Sequence, residues 1–364
     1  MRRWATAVLV TFGLVAALAT APAGARVDED GWDLRAIPIV RSAEPIVGNF
    51  GGDAAADVLW YRPGAAADTL WYGRSGKRGR SNMVARTIGV SGDYQPIVGD
   101  FAGADGYDEI LWYAPGATQD YLWRSVPGDY GFGSRSQLLL VNGDFTWAVL
   151  QDHRGGKDDI AWVAKGDARD FIWHFDDDGS GRPLNTTVSA LGPYELVAGD
   201  YDGNGYDDLV LHAPGPKRDE LWRSSPQGTV SRTVFELNRA FDLVTIRQSG
   251  GDDLLLRPRG DAVYDQVWEH GSPPFSSGRT VVPKYPDGRP SDAVGFDNGR
   301  VLLHDADTSE YFLRYTNHGE LDPIATDWTD QTPLPGDFDA DGNLDVLWAN
   351  PDRSNAAFWY APAP

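Results

Sequence analysis

The chain has 364 residues, no cysteine and a formal net charge of −21 at pH 7. The lack of cysteine excludes disulfides and thiolate metal sites. The acidic balance argues against a nucleic-acid partner, because phosphate binding depends on clustered Lys and Arg. The 42 Gly, 24 Pro, 14 Trp and 15 Tyr are typical of many short strands joined by tight turns.

The first segment predicts export. Arg2 and Arg3 precede an apolar run over 4–18, and Ala23-Gly24-Ala25 has the small-residue pattern that signal peptidase cleaves. The run is short for a membrane span, and no second apolar stretch of about 20 residues follows it. We therefore expect residues 1–25 to be a signal peptide and 26–364 to be the mature domain. The protein is then secreted and extracellular, a monomer with no membrane span.

One pattern recurs seven times along the remaining chain. A large apolar residue opens each copy, and in the clearest copies a Trp closes it eleven positions later. The opening residues, at intervals of 45 to 52, are Trp60, Trp112, Trp162, Leu211, Leu256, Leu303 and Trp348. A repeat of this length with these residue types is typical of β-propeller blades. We therefore predict an all-β, seven-bladed β-propeller with four-stranded antiparallel blades.

The second copy illustrates the four strands of each blade. Pro96-Ile97-Val98-Gly99 is apolar on both faces, as a buried inner strand must be. An acidic loop separates it from a second strand at 110–113. Pro115-Gly116 then predicts a type II turn into the third strand, because Pro presets φ and Gly accepts a positive φ. A more polar segment at 134–141 supplies the outer strand.

The two ends of the chain predict how the ring closes. The seventh copy stops at Trp359-Tyr360, directly after its third strand. An orphan strand at 32–40 precedes the first inner strand, in the position that the outer strands take in the other copies. If this N-terminal strand completes the last blade, it removes two exposed sheet edges.

Two of the loops between the first and second strands carry a regular set of oxygen side chains. Positions 1, 3, 5 and 9 offer oxygen atoms, position 6 is Gly, and position 7 can offer its backbone carbonyl. Hard oxygen ligands in this number suit calcium. Leu211 and Trp348 stand where an EF-hand has its bidentate Glu, so these loops are not EF-hands. The predicted calcium ligands are Asp200, Asp202, Asn204, Tyr206 and Asp208 in the fourth copy, and Asp337, Asp339, Asp341, Asn343 and Asp345 in the seventh.

Acidic loops of this form, between the first two strands of a blade, resemble those of the FG-GAP/VCBS repeat family. That family includes integrin α-subunit propellers and many bacterial secreted proteins. The resemblance spans residues 32–364 and implies a seven-bladed propeller with calcium in the intact loops. It also implies adhesion or ligand recognition, with an extracellular protein or glycan as the partner.

The other loops are eroded copies of the same pattern. The first keeps three ligand positions, the second is one residue longer and has Ala102 at an acidic position, and the third keeps one acid. The fifth and sixth loops are shortened and should bind no metal. The acids and amide concerned are Asn49, Asp53 and Asp57 in the first copy, Asp100, Asp108 and Glu109 in the second, and Asp159 in the third.

Two further periodic series have competing interpretations. The closing anchors Trp71, Trp123, Trp173, Trp222, Trp268 and Trp359 are predicted to pack between sheets, with sugar stacking as the alternative. An Asp stands three residues before five of them: Asp68, Asp120, Asp170, Asp219 and Asp265. We expect these to bond to turn backbone, with a second ring of metal ligands as the alternative.

No catalytic constellation stands out in the sequence. There is no Cys nucleophile and no G-x-S-x-G pattern, and the six His are scattered. We therefore predict a non-catalytic recognition module. The alternatives are a secreted carbohydrate-active enzyme, such as a polysaccharide lyase, and a structural spacer. The stretch from Gly271 to Ser291 is either a tolerated insertion or a partner site.

Overall fold

The computed structural model describes residues 26–27, 31–38, 42–51, 53–79, 83–102, 106–126, 132–151, 156–166, 168–175, 183–190, 194–225, 229–260, 265–271, 279–281, 292–296, 299–304, 310–314, 320–324, 331–350 and 355–362. Every regular element within these ranges is a β-strand. Likewise, none of these segments forms a helix long and apolar enough to cross a membrane. The predicted signal peptide at 1–25 lies outside the described residues.

The strands follow one another along the whole described chain. The first half contains β1 (Arg26–Val27), β2 (Asp33–Pro38), β3 (Glu44–Gly48), β4 (Asp57–Tyr61), β5 (Asp68–Tyr72), β6 (Val84–Ile88), β7 (Gln95–Gly99), β8 (Glu109–Tyr113), β9 (Asp120–Ser125), β10 (Phe132–Leu139), β11 (Phe145–Leu150), β12 (Asp159–Ala164), β13 (Asp170–His174) and β14 (Leu184–Val188). The second half contains β15 (Glu195–Gly199), β16 (Asp208–His212), β17 (Asp219–Arg223), β18 (Ser231–Phe235), β19 (Phe241–Ile246), β20 (Asp253–Pro258), β21 (Gln266–Trp268), β22 (Arg279–Val281), β23 (Asp292–Gly295), β24 (Arg300–His304), β25 (Glu310–Arg314), β26 (Glu320–Ile324), β27 (Thr332–Gly336), β28 (Asp345–Ala349) and β29 (Asn355–Tyr360).

Within the described ranges, six consecutive groups of four strands form antiparallel sheets. We name them S1 (β3–β6), S2 (β7–β10), S3 (β11–β14), S4 (β15–β18), S5 (β19–β22) and S6 (β23–β26). Their first strands lie side by side in chain order, β3 next to β7 and so on to β23. The sheets are therefore arranged around a common axis, and the predicted all-β propeller is confirmed.

A further sheet joins the two ends of the chain, and we name it the closing sheet. Its strand order is β1-β2-β29-β28-β27, and β2 pairs antiparallel with β29 from Asp33 opposite Tyr360 to Pro38 opposite Asn355. The predicted closure by the N-terminal strand is thereby confirmed for 33–38. The sequence did not reveal β1, which adds a fifth strand. The count of seven blades remains a prediction, because the sheet that would be the seventh departs from the four-stranded form.

The core lies between neighbouring sheets. The second strands of S1 to S5 are buried along their whole length, as in β4 and β8, whereas β24 of S6 begins with the half-buried Arg300. The ring of Tyr61 in S1 lies 5.0 Å from that of Trp112 in S2, measured between centroids. Within S1, Trp60 and Trp71 meet edge to face at 5.1 Å. Core packing of the closing anchors is confirmed for the buried members Trp173, Trp222, Trp268 and Trp359.

In S1 to S4 the Asp that begins the third strand bonds to turn backbone, as predicted. Asp120 is fully buried and accepts the N–H groups of Ala114 at 2.8 Å and Val141 at 2.7 Å. One carboxylate therefore ties the end of the second strand to the chain that leaves the fourth. The same pair of bonds occurs at Asp68, Asp170 and Asp219. In S5, Asp265 instead accepts from Arg257 at 3.1 Å.

Candidate metal centres

The acidic loop of S4 folds around the carboxylate of Asp200. Gly203 and Gly205 adopt φ values of 75° and 86°, which residues with a side chain rarely reach. These turns direct the N–H groups of Asn204 and Gly205 at Asp200, with N···O distances of 2.9 and 2.8 Å. The loop thus closes on its first residue and brings its third and ninth positions close to it.

Three carboxylates of this loop form one group. Asp200, Asp202 and Asp208 each offer an oxygen atom, and these atoms lie within 4.8 Å of one another. Asp208 Oδ1 accepts the N–H of Ser224 at 2.9 Å, whereas Oδ2 is buried with no hydrogen-bond partner in the described part of the chain. Burial, with Asp202 and Asp200 adding to it, raises the pKa of Asp208 to about 8.

The acidic loop of the closing sheet has the same turn. Asp341 and Gly342 donate their N–H groups to the two oxygens of Asp337, at 3.1 and 2.9 Å. Asp337, Asp339 and Asp341 form the second group with oxygen atoms within 4.8 Å. Among the described residues, Asp339 Oδ1 is buried without a hydrogen-bond partner.

The remaining predicted ligands take different positions in the two loops. Asp345 lies outside the trio of its loop, and its oxygens accept the N–H groups of Phe338 at 2.9 Å and Ala361 at 2.7 Å. Asn204 accepts the N–H of Tyr206 at 2.9 Å, so the turn orders both residues. Asn343 donates its side-chain amide to Asp341 at 3.0 Å. Their part in binding a metal stays a prediction.

The chemistry of both groups fits a hard cation. Carboxylates held this close repel one another until a positive charge lies between them. A buried oxygen without a hydrogen bond is costly, and a bound metal ion would supply the missing partner of Asp208 and of Asp339. The two trios can therefore hold a metal ion.

The eroded loops use their acids for other contacts. Asp57 accepts the N–H groups of Phe50 and Gly73, both at 2.8 Å, and Asp53 accepts those of Ala55 and Ser75. In the second loop Glu109 accepts from the backbone of Phe101 and Ala102, and in the third Asp159 bonds to His174. His153 and Gly155, at positions where the third loop has lost the pattern, lie outside the described residues. So does most of the stretch from Gly271 to Ser291.

Sequence reasoning missed the role of the residue that precedes the second strand. At four junctions it is an Asp whose carboxylate accepts the N–H of the residue after the first strand of the preceding sheet. We name Asp108, Asp158, Asp207 and Asp252 the junction carboxylates; their partners are Asn49, Asp100, Gln151 and Asp200, at 2.7 to 3.0 Å. The sequence feature that could have revealed this role is the repeated pair of adjacent acids, such as Asp207-Asp208. The first acid of each pair bonds to the preceding sheet, and the second belongs to the acidic loop of its own sheet.

An open cavity of about 380 Å³ adjoins the S4 trio, with Asp200, Gln151, Arg247 and Gln248 in its walls. Arg247 bridges two junction carboxylates. Its Nη1 lies 2.7 Å from Asp207 and 2.8 Å from Asp252. The cavity therefore combines two amide side chains and an ion-paired arginine with one edge of a candidate metal centre.

The comparisons with known proteins agree with this picture at the level of the repeat. Residues 192–231, which include the S4 acidic loop, match the FG-GAP repeat family, so the resemblance is confirmed there. No curated protein matches the chain. One similar solved structure is a mutant of AofleA from Arthrobotrys oligospora, 11% identical over 82% of this chain and 92% of that one, with a TM-score of 0.42. Another is the alpha-L-arabinanase of Penicillium chrysogenum complexed with arabinobiose, also 11% identical, over 90% and 98%, with a TM-score of 0.42.

Proposed function

We propose that this chain, which carries an FG-GAP repeat, is a secreted calcium-binding β-propeller that recognises an extracellular protein or glycan and is not an enzyme. The observation that carries the calcium assignment is the S4 trio. There, the buried Oδ2 of Asp208 has no hydrogen-bond partner among the described residues, and Asp200, Asp202 and Asp208 each offer one oxygen atom within 4.8 Å of the other two. Calcium accepts six to eight oxygens in flexible geometry, whereas magnesium requires a tighter octahedral shell.

Calcium binding is tested by calorimetry and by melting curves with calcium, magnesium or chelator. Extracellular calcium modules bind with dissociation constants of about 10⁻⁴ to 10⁻³ M. At tenfold excess over that constant, each site adds about 1.4 kcal/mol to the free energy of unfolding. Asp202→Asn and Asp339→Asn should each remove part of the calcium response. Glu236→Gln changes the same charge at an exposed position and should leave the response intact. A melting curve indifferent to calcium and chelator would reject the assignment.

Ligand recognition is tested on the secreted protein with a glycan array, in calcium and in chelator. A rigid ring that presents variable loops is a common support for binding sites. Selective glycan binding would support a recognition module of the lectin type. Release of sugar products would support the carbohydrate-active enzyme instead. If neither binding nor product release is found, for glycans and candidate proteins alike, the structural spacer is the remaining interpretation.

Export is tested separately by sequencing the N-terminus of the secreted chain, which is expected to begin at Arg26.

We also propose that the closing sheet is the seventh blade of the ring. Its β27, β28 and β29 pair in the order of the first three strands of S1 to S6, and β2 takes the place of the fourth. In this arrangement β1 is an addition to the outer edge. A crystal structure that showed the closing sheet outside the ring would contradict the count.

A further inference from the structure

Arg78 connects two sheets that are distant in sequence. It lies in the loop after β5 of S1, yet its Nε donates to Asp339 Oδ2 in the closing sheet at 2.6 Å. Its Nη2 lies 3.5 Å from Asp341 Oδ2 and donates to the carbonyl of Ala361 at 3.1 Å. The guanidinium also lies 5.2 Å from the ring centroid of Tyr360. A positive charge of the chain itself therefore sits against two members of the closing-sheet trio.

The backbone on both sides of Arg78 is fixed to the same sheet. The N–H of Gly76 donates to the carbonyl of Asp339 at 2.7 Å, and the N–H of Gly79 donates to the hydroxyl of Tyr360 at 2.9 Å. Arg78 is therefore held in place by its neighbours and does not depend on its own side chain to reach the trio.

A second acidic loop receives a cation in the same way. Lys157, which is only 4% exposed, donates from Nζ to Asp100 Oδ1 at 2.6 Å. Asp100 is the first position of the eroded S2 loop, and Lys157 comes from the neighbouring sheet S3. In both cases the next sheet around the ring supplies the positive charge.

The S4 loop differs at this point. The cation from its neighbour S5 is Arg247, and the junction carboxylates Asp207 and Asp252 hold it at 2.7 and 2.8 Å. Within S4, Arg223 Nε lies 4.0 Å from Asp202 Oδ2, beyond hydrogen-bond distance. In the described part of the chain the S4 trio therefore has only this long ion pair with Arg223, and no Arg or Lys side chain donates a hydrogen bond to it.

We propose that Arg78 is an internal cation that competes with calcium for the closing-sheet loop. A carboxylate oxygen that accepts a short bond from a guanidinium is not free to bind a metal ion, and two positive charges a few ångströms apart repel each other. Calcium fills the S4 site first and reaches the second trio only by displacing Arg78. This inference rests on the calcium assignment of the proposed function. It also implies that the contact between S1 and the closing sheet does not require calcium, because Arg78 neutralises the second trio in its absence.

The experiment isolates the second trio by placing every variant on an Asp202→Asn background. Calcium itself is the probe, and calorimetry measures its dissociation constant. Removing the guanidinium with Arg78→Met should tighten calcium binding about tenfold or more. Arg86→Met is the matched control, because it removes the same charge from an exposed position on β6 of the same sheet. It should leave the dissociation constant unchanged within about twofold.

Equal calcium affinity with and without Arg78 would overturn the inference. So would a wild-type protein whose two sites bind with the same affinity. Arg78→Lys is the second variant if Arg78→Met does not fold. It keeps the charge but loses the planar guanidinium, so its calcium dissociation constant should lie between that of the protein with Arg78 and that expected for Arg78→Met. Failure of the proposed function looks different, because Asp339→Asn, which keeps the S4 trio, would then bind no calcium. A gain of calcium binding in Arg78→Met would still support the competition.

Discussion

At the scale of single residues, a small backbone difference decides what a buried acid does. In S1 the N–H of Phe50 donates to Asp57, the acid that begins the second strand. In S4 the corresponding N–H of Tyr201 bonds to the carbonyl of Gly199 at 3.0 Å. Asp208 Oδ2 therefore lacks this backbone bond and is available to a cation, whereas Asp57 has both oxygens in backbone hydrogen bonds. The sequence shows the same Asp at both positions and therefore could not separate the two roles.

The pH dependence of stability should report the burial of Asp57. Burial raises its pKa from 3.8 to about 8. Between these values the unfolded chain releases a proton that the folded chain keeps, so stability falls as pH rises from about 4 to about 8. Melting curves in chelator should therefore show this loss. Asp57→Asn should flatten the curve, and should cost about 1–3 kcal/mol because an amide faces a backbone N–H. Identical slopes in the two proteins would contradict the raised pKa.

Backbone strain in the closing-sheet loop gives a second prediction at this scale. Ala340 adopts a φ of 58° at the position where S4 has Gly203. A left-handed conformation costs an alanine about 1–2 kcal/mol, partly offset by the greater freedom of glycine in the unfolded chain. Ala340→Gly should raise the free energy of unfolding by about 0.5–1 kcal/mol in urea titrations. The control Ala349→Gly, within strand β28, should lower it; a loss of stability in both would refute the strain argument.

At the scale of elements, pairs of adjacent acids join the sheets to one another. Successive side chains of an extended segment point to opposite sides, so the first acid faces the preceding sheet and the second faces its own loop. The regular spacing of the loops made the two carboxylate trios predictable from sequence. The cations that contact these carboxylates could not be predicted from sequence, because partners such as Arg78 and Asp339 are 261 residues apart. Such pairs depend on how the sheets pack, and no local pattern encodes that.

The junction carboxylates should contribute to stability without any metal. Asp108 Oδ2 accepts the N–H of Asn49 at 2.7 Å across the boundary between S1 and S2. Asp108→Ala should therefore cost about 1–3 kcal/mol in chelator, because that N–H loses its partner. Asp144→Ala removes an exposed acid paired with Lys165 and should change stability by less than about 1 kcal/mol. If urea titrations give the two variants the same loss in free energy of unfolding, the junction hydrogen bond stabilises the protein no more than an exposed ion pair does.

At the scale of the whole molecule, the order of the strands was predictable and the detail of closure was not. The period of the anchors identified the four-stranded sheets, and the incomplete last copy predicted that 32–40 would complete it. The structure pairs β2 with β29 as expected and adds β1, whose two residues are too few to leave a hydrophobic pattern. The closing sheet also receives Trp32, which packs against Trp359 with 4.3 Å between the ring centroids.

Removal of the N-terminal strand should open the ring. Deleting 26–40 exposes the backbone edge of β29 and strips Trp359 of its contact with Trp32, so the melting temperature should fall and the protein should associate through the free edge. Deleting only 26–30 removes β1 but keeps β2 and its pairing, and this variant should melt close to wild type. Light scattering and melting curves compare the two at equal concentration. The expected result is association in the longer deletion alone. A longer deletion that stays monomeric and melts like wild type would show that β29 does not need β2, and that the ring holds without its N-terminal strand.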